Sequence, residues 1–183
     1  MINKDIGKIL ITEAELDATV ARLAKEIDAD YQGEDKKLVL LCILKGSIVF
    51  MGDLMKKLTV PVEIDCMRVS SYGVGTTSSG NINIILDVMR SDITTCDFLI
   101  IEDIIDSGRT LSYLKKYLEG KNAKSVRCAT LLDKPCRREV DFNADYTGAV
   151  IEDHFVVGYG LDYDEKYREL PYVGILKPCV YLK

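Results

Sequence analysis

The sequence has no surplus of basic residues: 24 Lys and Arg stand against 29 Asp and Glu, for a net charge of −5. Sequence-independent nucleic-acid binding rests on such a surplus, so that class is set aside, with a locally basic groove left open. No apolar stretch approaches the roughly 20 residues of a membrane-spanning helix; the longest, "LVLLCIL" at 38–44, has the length of a strand. The opening MINKDIGKIL lacks the long apolar core of a secretory leader, so none is expected. The six cysteines, at 42, 66, 96, 128, 136 and 179, never form Cys-x-x-Cys. Cys42, Cys66 and Cys128 fall inside apolar strand-like runs, and all six are read as reduced thiols of a cytoplasmic protein, not as disulfides or a metal site. Neither a Walker A loop nor Gly-x-Gly-x-x-Gly is present, which removes two glycine-rich nucleotide-binding loops.

What is present suits one domain, spanning 1–183. A chain of this length buries roughly 70% of its unfolded surface. Thr12-x-x-Glu15 has the form of a capping box, and Leu16, Val20, Leu23 and Ile27 follow at helical spacing, which predicts a helix over 13–28. Met51, Leu54, Met55 and Leu58 predict another over 47–58; Leu111, Leu114 and Leu118 predict a third, ending near Gly120. Apolar runs at 38–44, 62–69, 98–101 and 125–132, with short ones at 149–151 and 172–176, read as strands. This alternation predicts an α/β fold with a mostly parallel, doubly wound central sheet flanked by helices. Between 70 and 80, nine of eleven residues are Gly, Ser or Thr, a composition that buries little and predicts a mobile loop.

The stretch "LIIEDIIDSGRTL" (99–111) poses the chemical question. Carboxylates at the edge of a buried strand are costly unless something uses them. In an open parallel sheet, ligands bind beyond the carboxyl ends of the strands, where the amides of the next helix attract anions. Gly108 permits a tight turn and a close approach of ligand to backbone; Ser107 and Thr110 add hydroxyl donors. That suits a phosphate monoester. Glu102 and Asp103 would repel phosphate, and make sense if the ligand also offers sugar hydroxyls or a divalent cation. A ribose phosphate with Mg²⁺ meets both demands. The other reading of the same residues is a capped helix with solvated acids.

"IIEDIIDSGRTL" resembles the signature of the type I phosphoribosyltransferases, which bind 5-phosphoribosyl 1-diphosphate. "LKGS" (44–47), "LDKP" (132–135) and "DHFVVGYGLDYDEKYREL" (153–170) extend the resemblance, over about residues 6–182, to the hypoxanthine-guanine phosphoribosyltransferases, in their bacterial form. That resemblance implies the family's fold, with a small hood over the base site formed by the N-terminal few residues and about 135–183, and a mobile lid at about 70–84 that includes Ser71 and Tyr72. It implies a 5′-phosphate cradle of Asp106, Ser107, Gly108, Arg109 and Thr110, with Asp106 also the general base acting at N7 of the purine. The side chain of Arg109, at the variable position, is expected to face solvent. Lys45, Gly46 and Arg168 fall to the diphosphate, with a cis peptide often preceding the lysine. Lys134, Phe155, Val156 and Asp162 fall to the purine: Lys134 to its 6-oxo group, Phe155 by stacking, Val156 through its backbone. Glu102 and Asp103 fall to ribose hydroxyls and Mg²⁺, directly or through water, and Asp162 to the base's 2-position and a second metal.

The implied reaction is Mg²⁺-dependent transfer of 5-phosphoribosyl to N9 of hypoxanthine or guanine, a step of purine salvage. Its partners are the purine, 5-phosphoribosyl 1-diphosphate and a second copy or more of the chain, as a homodimer or homotetramer, with neither nucleic acid nor membrane. A lysine donates and cannot accept, which on chemical grounds favours 6-oxopurines over adenine. Two alternatives share the fold: a xanthine-preferring enzyme and a regulatory RNA-binding protein. His154, the sole histidine, stands where many relatives carry lysine and is read as a bland exposed side chain in preference to one that touches the edge of the base site; Cys136 and Arg137 receive no role.

Overall fold

The computed structural model describes residues 3–33, 35–71 and 82–182. In chain order it runs β1 (Ile6–Ile11), α1 (Glu13–Asp30), β2 (Leu38–Ile43), α2 (Ile48–Lys57), β3 (Val62–Ser71), β4 (Ile82–Leu86), β5 (Asp97–Ile105), α3 (Arg109–Gly120), β6 (Ser125–Asp133), β7 (Tyr146–Val150), β8 (Val156–Val157), β9 (Val173–Leu176) and a single helical turn, α4 (Pro178–Tyr181). One sheet has the order β4-β3-β2-β5-β6-β7 and is parallel except for β4. A second, antiparallel sheet has the order β1-β9-β8. No helix among the described residues is long and apolar enough to cross a membrane.

The strand β2 shows why a continuous apolar run belongs at the centre. Successive side chains leave a strand on opposite faces. Leu38, Leu40 and Cys42 pack with Leu16, Val20, Leu23, Phe50 and Leu54 of α1 and α2, while Val39, Leu41 and Ile43 pack with Leu111, Leu114 and Leu118 of α3. Both faces are covered, so every position must be apolar. The expected capping box starts α1: Thr12 N donates to Glu15 Oε2 at 2.8 Å, and Glu15 N donates to Thr12 Oγ1 at 3.3 Å. Near its other end the buried Asp28 takes the amides of Thr59 and Val60 (3.0 and 3.2 Å) and the Thr59 hydroxyl (2.8 Å), tying α1 to the end of α2. Asp28→Ala strands those donors. It is expected to cost about 2–3 kcal/mol, seen as a melting temperature lower by roughly 5–10 °C in a circular-dichroism scan; an unchanged melting curve would remove Asp28 from this role.

The structure departs from the sequence reading at several places. The strand expected at 98–101 continues to Ile105, so Glu102 and Asp103 lie within β5 and not after it. α3 ends at Gly120, as expected, and the left-handed residue beyond it is Asn122 (φ 61°). Cys66 is half-exposed, because β3 lies one strand from the sheet edge, whereas Cys96 is buried; all six thiols are free. Of the 135–183 stretch, β7 joins the edge of the large sheet, while β8 and β9 pair with β1. Residues 72–81, most of the expected lid and Tyr72 among them, lie outside the described residues. The flanks of that stretch are paired strands, Ser70 opposite Asn83 and Ser71 opposite Ile82.

This topology creates a crevice. From β2 the chain steps to β3 on one side and returns to β5 on the other, so the strand order reverses between β2 and β5. Ligands in open α/β sheets bind beyond the carboxyl ends of strands at such a point. The segments that leave those ends begin at Leu44 and Asp106.

Candidate active site

The turn that leaves β5 is shaped to hold an anion. Gly108 has φ +78° and caps α3 without a side chain. The first amides of a helix have no intrahelical acceptor; Ser107 Oγ takes that of Arg109 at 3.3 Å, while Thr110 and Leu111 border a small cavity of about 120 Å³ with Asp106, Ser107 and Gly108. The turn is braced from behind. Arg138 Nη1 donates to the Asp106 carbonyl at 2.6 Å, its Nη2 pairs with Asp133, and Glu139 N donates to the Ser107 carbonyl at 3.0 Å. The Arg109 side chain points away and pairs with Glu139 at 2.5 Å, half exposed, as expected for the variable position. The Arg138 brace went unread in the sequence, where "RRE" is an ordinary surface run.

Glu102 and Asp103 lie near the carboxyl end of β5, beside the crevice. Glu102 Oε2 is fully enclosed and has no hydrogen-bond partner. Burial and the adjacent negative charge of Asp103 push Glu102 well above the ordinary carboxylate range. Burial likewise pushes Asp103 up to about 6, against the pull of the Ile104 amide and of Arg168. A pair of carboxyls in that state gains most from a divalent cation. Among the described residues no three acidic, His or Cys side chains converge into a metal cage. Two such carboxyls suit a cation such as Mg²⁺, which binds through one or two carboxylates plus substrate phosphates. Asp103 also lies directly against Gly46, where any Cβ would collide with its carboxylate.

The register of β5 and β6 sets the second half of the site. Ile105 pairs with Asp133, and Lys134 N donates to the Ile105 carbonyl at 2.9 Å, so Asp106 and Lys134 emerge side by side. Lys134 is buried, with Nζ 3.7 Å from Asp106 Oδ1. Together they border a cavity of about 200 Å³ lined also by Ile104, Arg137, Phe155, Val156 and Asp162. Asp106 and Ile104 border both this cavity and the phosphate-sized one, so both residues stand between them. Phe155 is 39% exposed; Tyr181 stacks on it at 4.7 Å and Tyr163 meets its edge at 5.6 Å. Val156 is buried in the core and also borders the cavity. Arg137, assigned nothing from sequence, lines the cavity and pairs with Asp153 at 2.6 Å; His154 lines it as well, partly exposed, 3.4 Å from Glu152.

On the opposite side of the crevice, the Leu44–Lys45 peptide is cis. Lys45 Nζ lies 2.9 Å from Glu165 Oε1. Arg168 donates from Nη1 to the Gly160 carbonyl at 2.7 Å, and its Nη2 is shared between Asp162 at 2.9 Å and Glu165 at 3.3 Å; its Nε is enclosed without a partner. Gly160 (φ +100°) packs so closely on the Gly46 carbonyl that a side chain there would collide with it. The cation side chains expected to bind diphosphate are thus gathered on one wall, with Asp162 reaching both that wall and the base-sized cavity.

Residues 8–164 match the family model described as phosphoribosyl transferase domain. The hypoxanthine-guanine phosphoribosyltransferase of Bacillus subtilis is 50% identical over 181 residues, which cover 99% of each chain. The bifunctional protein TilS/HprT of Listeria innocua is 52% identical over 180 residues; these are 98% of this chain but 27% of that protein's length. A crystal structure of a hypoxanthine phosphoribosyltransferase from Staphylococcus aureus superposes over 100% of both chains with a TM-score of 0.93 at 46% identity.

Proposed function

The chain belongs to the phosphoribosyltransferase family, and from that premise we propose that it transfers a 5-phosphoribosyl group from 5-phosphoribosyl 1-diphosphate to N9 of hypoxanthine or guanine, yielding IMP or GMP and diphosphate, as a step of purine salvage. The observation that carries this reading is the placement of Asp106 on the wall between two cavities, one sized for a phosphate and one flanked by the buried Lys134. A nucleoside monophosphate has that division of chemistry.

In this reading the 5′-phosphate sits in the turn 106–110, met by backbone amides at the start of α3. The diphosphate lies along Lys45, Gly46 and Arg168, where the guanidinium fork suits phosphate oxygens. Glu102 and Asp103 would hold the ribose hydroxyls and a magnesium ion, and Asp162 a second one; when bound, the metal would supply positive charge to the departing diphosphate. The bond at C1 of the ribose breaks largely ahead of attack. Lys134 donates to the purine 6-oxo group, the Val156 backbone meets the base edge, and Asp106 takes the proton from N7 as N9 becomes bonded to the sugar. Ser71 and Tyr72 belong to a lid that excludes water, since hydrolysis would otherwise compete. The β1-β9-β8 sheet serves as the hood over the base. The protein acts in the cytoplasm as a homodimer or homotetramer, which sedimentation would measure.

Steady-state rates with hypoxanthine, guanine, xanthine and adenine, each with 5-phosphoribosyl 1-diphosphate and MgCl₂, test the reading. Turnover of the first two is expected to exceed that of adenine by orders of magnitude, because Lys134 has nothing to offer a 6-amino group. Equal use of adenine would overturn the assignment. The stack on Phe155 gives a smaller effect. Tyr181→Ala removes an aromatic pair worth about 0.5–1.5 kcal/mol, and is expected to raise the KM for hypoxanthine roughly 2- to 10-fold while leaving that for 5-phosphoribosyl 1-diphosphate in place. A KM unchanged for both would show that Phe155 holds its position without the tyrosine.

A further inference from the structure

Glu165 lies within "DYDEKYRE", a run that reads as solvated charge. Yet its carboxylate touches both side-chain cations of the diphosphate wall: Oε1 meets Lys45 Nζ at 2.9 Å and Oε2 meets Arg168 Nη2 at 3.3 Å. Among the described residues no other acid bridges these two. Asp162 also meets Arg168, but it borders the base cavity and accepts the Glu165 amide at 2.9 Å.

The backbone is bent to aim Glu165 there. Tyr163 and Lys166 exchange backbone hydrogen bonds at 3.2 and 3.1 Å, and the two residues between them, Asp164 and Glu165, both have left-handed φ (52° and 62°). Such a turn favours Asn and Gly at these positions. Asp is also tolerated at the first position, but Glu165 at the second is under strain, which persists where the surroundings hold it in place. Hydrogen bonds from Lys45 first, then Arg168, hold the Glu165 carboxyl below its ordinary range.

We propose that Glu165 is an internal stand-in for diphosphate: its carboxylate bridges Lys45 and Arg168 in the free protein, keeps both oriented toward the crevice, and is displaced when diphosphate binds. The proposal rests on the reading of Lys45 and Arg168 as diphosphate ligands. The Lys45 pair is open to solvent, with side chains 46% and 63% exposed, and in the other pair Glu165 meets a partly buried Arg168 at the longer distance of 3.3 Å; exposed pairs are weak. A diphosphate carries more charge and can bridge both cations with separate oxygens, so it wins the exchange. The cost of evicting Glu165 falls on diphosphate binding alone. Glu165 is thus a positioning residue that lowers diphosphate affinity and favours release of that product.

Calorimetric titration of inorganic diphosphate, with MgCl₂ present, into the full chain and into Glu165→Gln and Glu165→Asp tests this. The glutamine variant is expected to bind diphosphate roughly three- to tenfold more tightly, and Glu165→Asp to return most of the way to the original affinity. GMP, which does not reach this wall, is expected to bind all three alike, a result that general damage to the fold would not give. Equal or weaker diphosphate binding by Glu165→Gln overturns the proposal. So does equal tightening by Glu165→Asp, since the turn and not the charge would then be responsible. An unsubstituted protein that binds no diphosphate at all overturns the diphosphate assignment itself, and this proposal with it.

Discussion

Asp106→Asn is expected to lower kcat for hypoxanthine by about 10²–10⁴-fold, with KM for either substrate changed by no more than a few-fold. The substitution keeps the shape and loses the ability to take a proton. The backbone beneath it should not move, because the Asp106 carbonyl is gripped by Arg138 at 2.6 Å and the neighbouring Ser107 carbonyl by the Glu139 amide. The phosphate turn therefore stays assembled and ground-state binding survives, so the loss falls on the transition state. Steady-state kinetics with both substrates varied separates these terms. A kcat within threefold of the unsubstituted protein would remove Asp106 from proton transfer; a large rise in KM alone would make it a binding residue.

Much of this site could be read from the sequence because its chemistry is local. Glu102, Asp103 and Asp106 through Thr110 fall within nine residues, and the apolar run before them marks the strand that presents them. β2 was readable for the same reason: two covered faces leave an uninterrupted apolar string. β1 was not, since only Ile6 is fully buried along it and its partner β9 lies at the far end of the chain. The features missed within the site also depend on distant contacts. Arg138 reaches back 32 residues to the phosphate turn, and Glu165 reaches back 120 to Lys45. Arg137 enters the base cavity because the short helical turn Pro135–Arg137 folds it beside Lys134, a geometry that no pattern of residue types announces. Tyr181 is placed by α4, which is too short to show a period.

Gly46 illustrates the same dependence, and it carries the other large effect. Gly46 does not sit in the left-handed region, so its lack of a side chain is not about backbone freedom. It is about space. A Cβ at Gly46 would collide with the Asp103 carboxylate, one of the enclosed acids. The loop cannot retreat from that collision, because its own carbonyl is pressed against Gly160 on the other side. Gly46→Ala must therefore push Asp103 out of the crevice, or lift the loop and with it the amides assigned to diphosphate. Either movement is of the order of 1 Å, enough to cost about 100-fold when reacting groups lose alignment. The expected result is a fall of at least about 100-fold in kcat/KM for 5-phosphoribosyl 1-diphosphate. Binding of GMP, which relies on the phosphate turn and the base cavity, should hold within a few-fold. Parallel measurement of kcat/KM and of GMP affinity decides the matter. Full activity in Gly46→Ala would mean that the loop has slack, and that contact between Asp103 and a bare glycine is incidental to how this protein handles diphosphate.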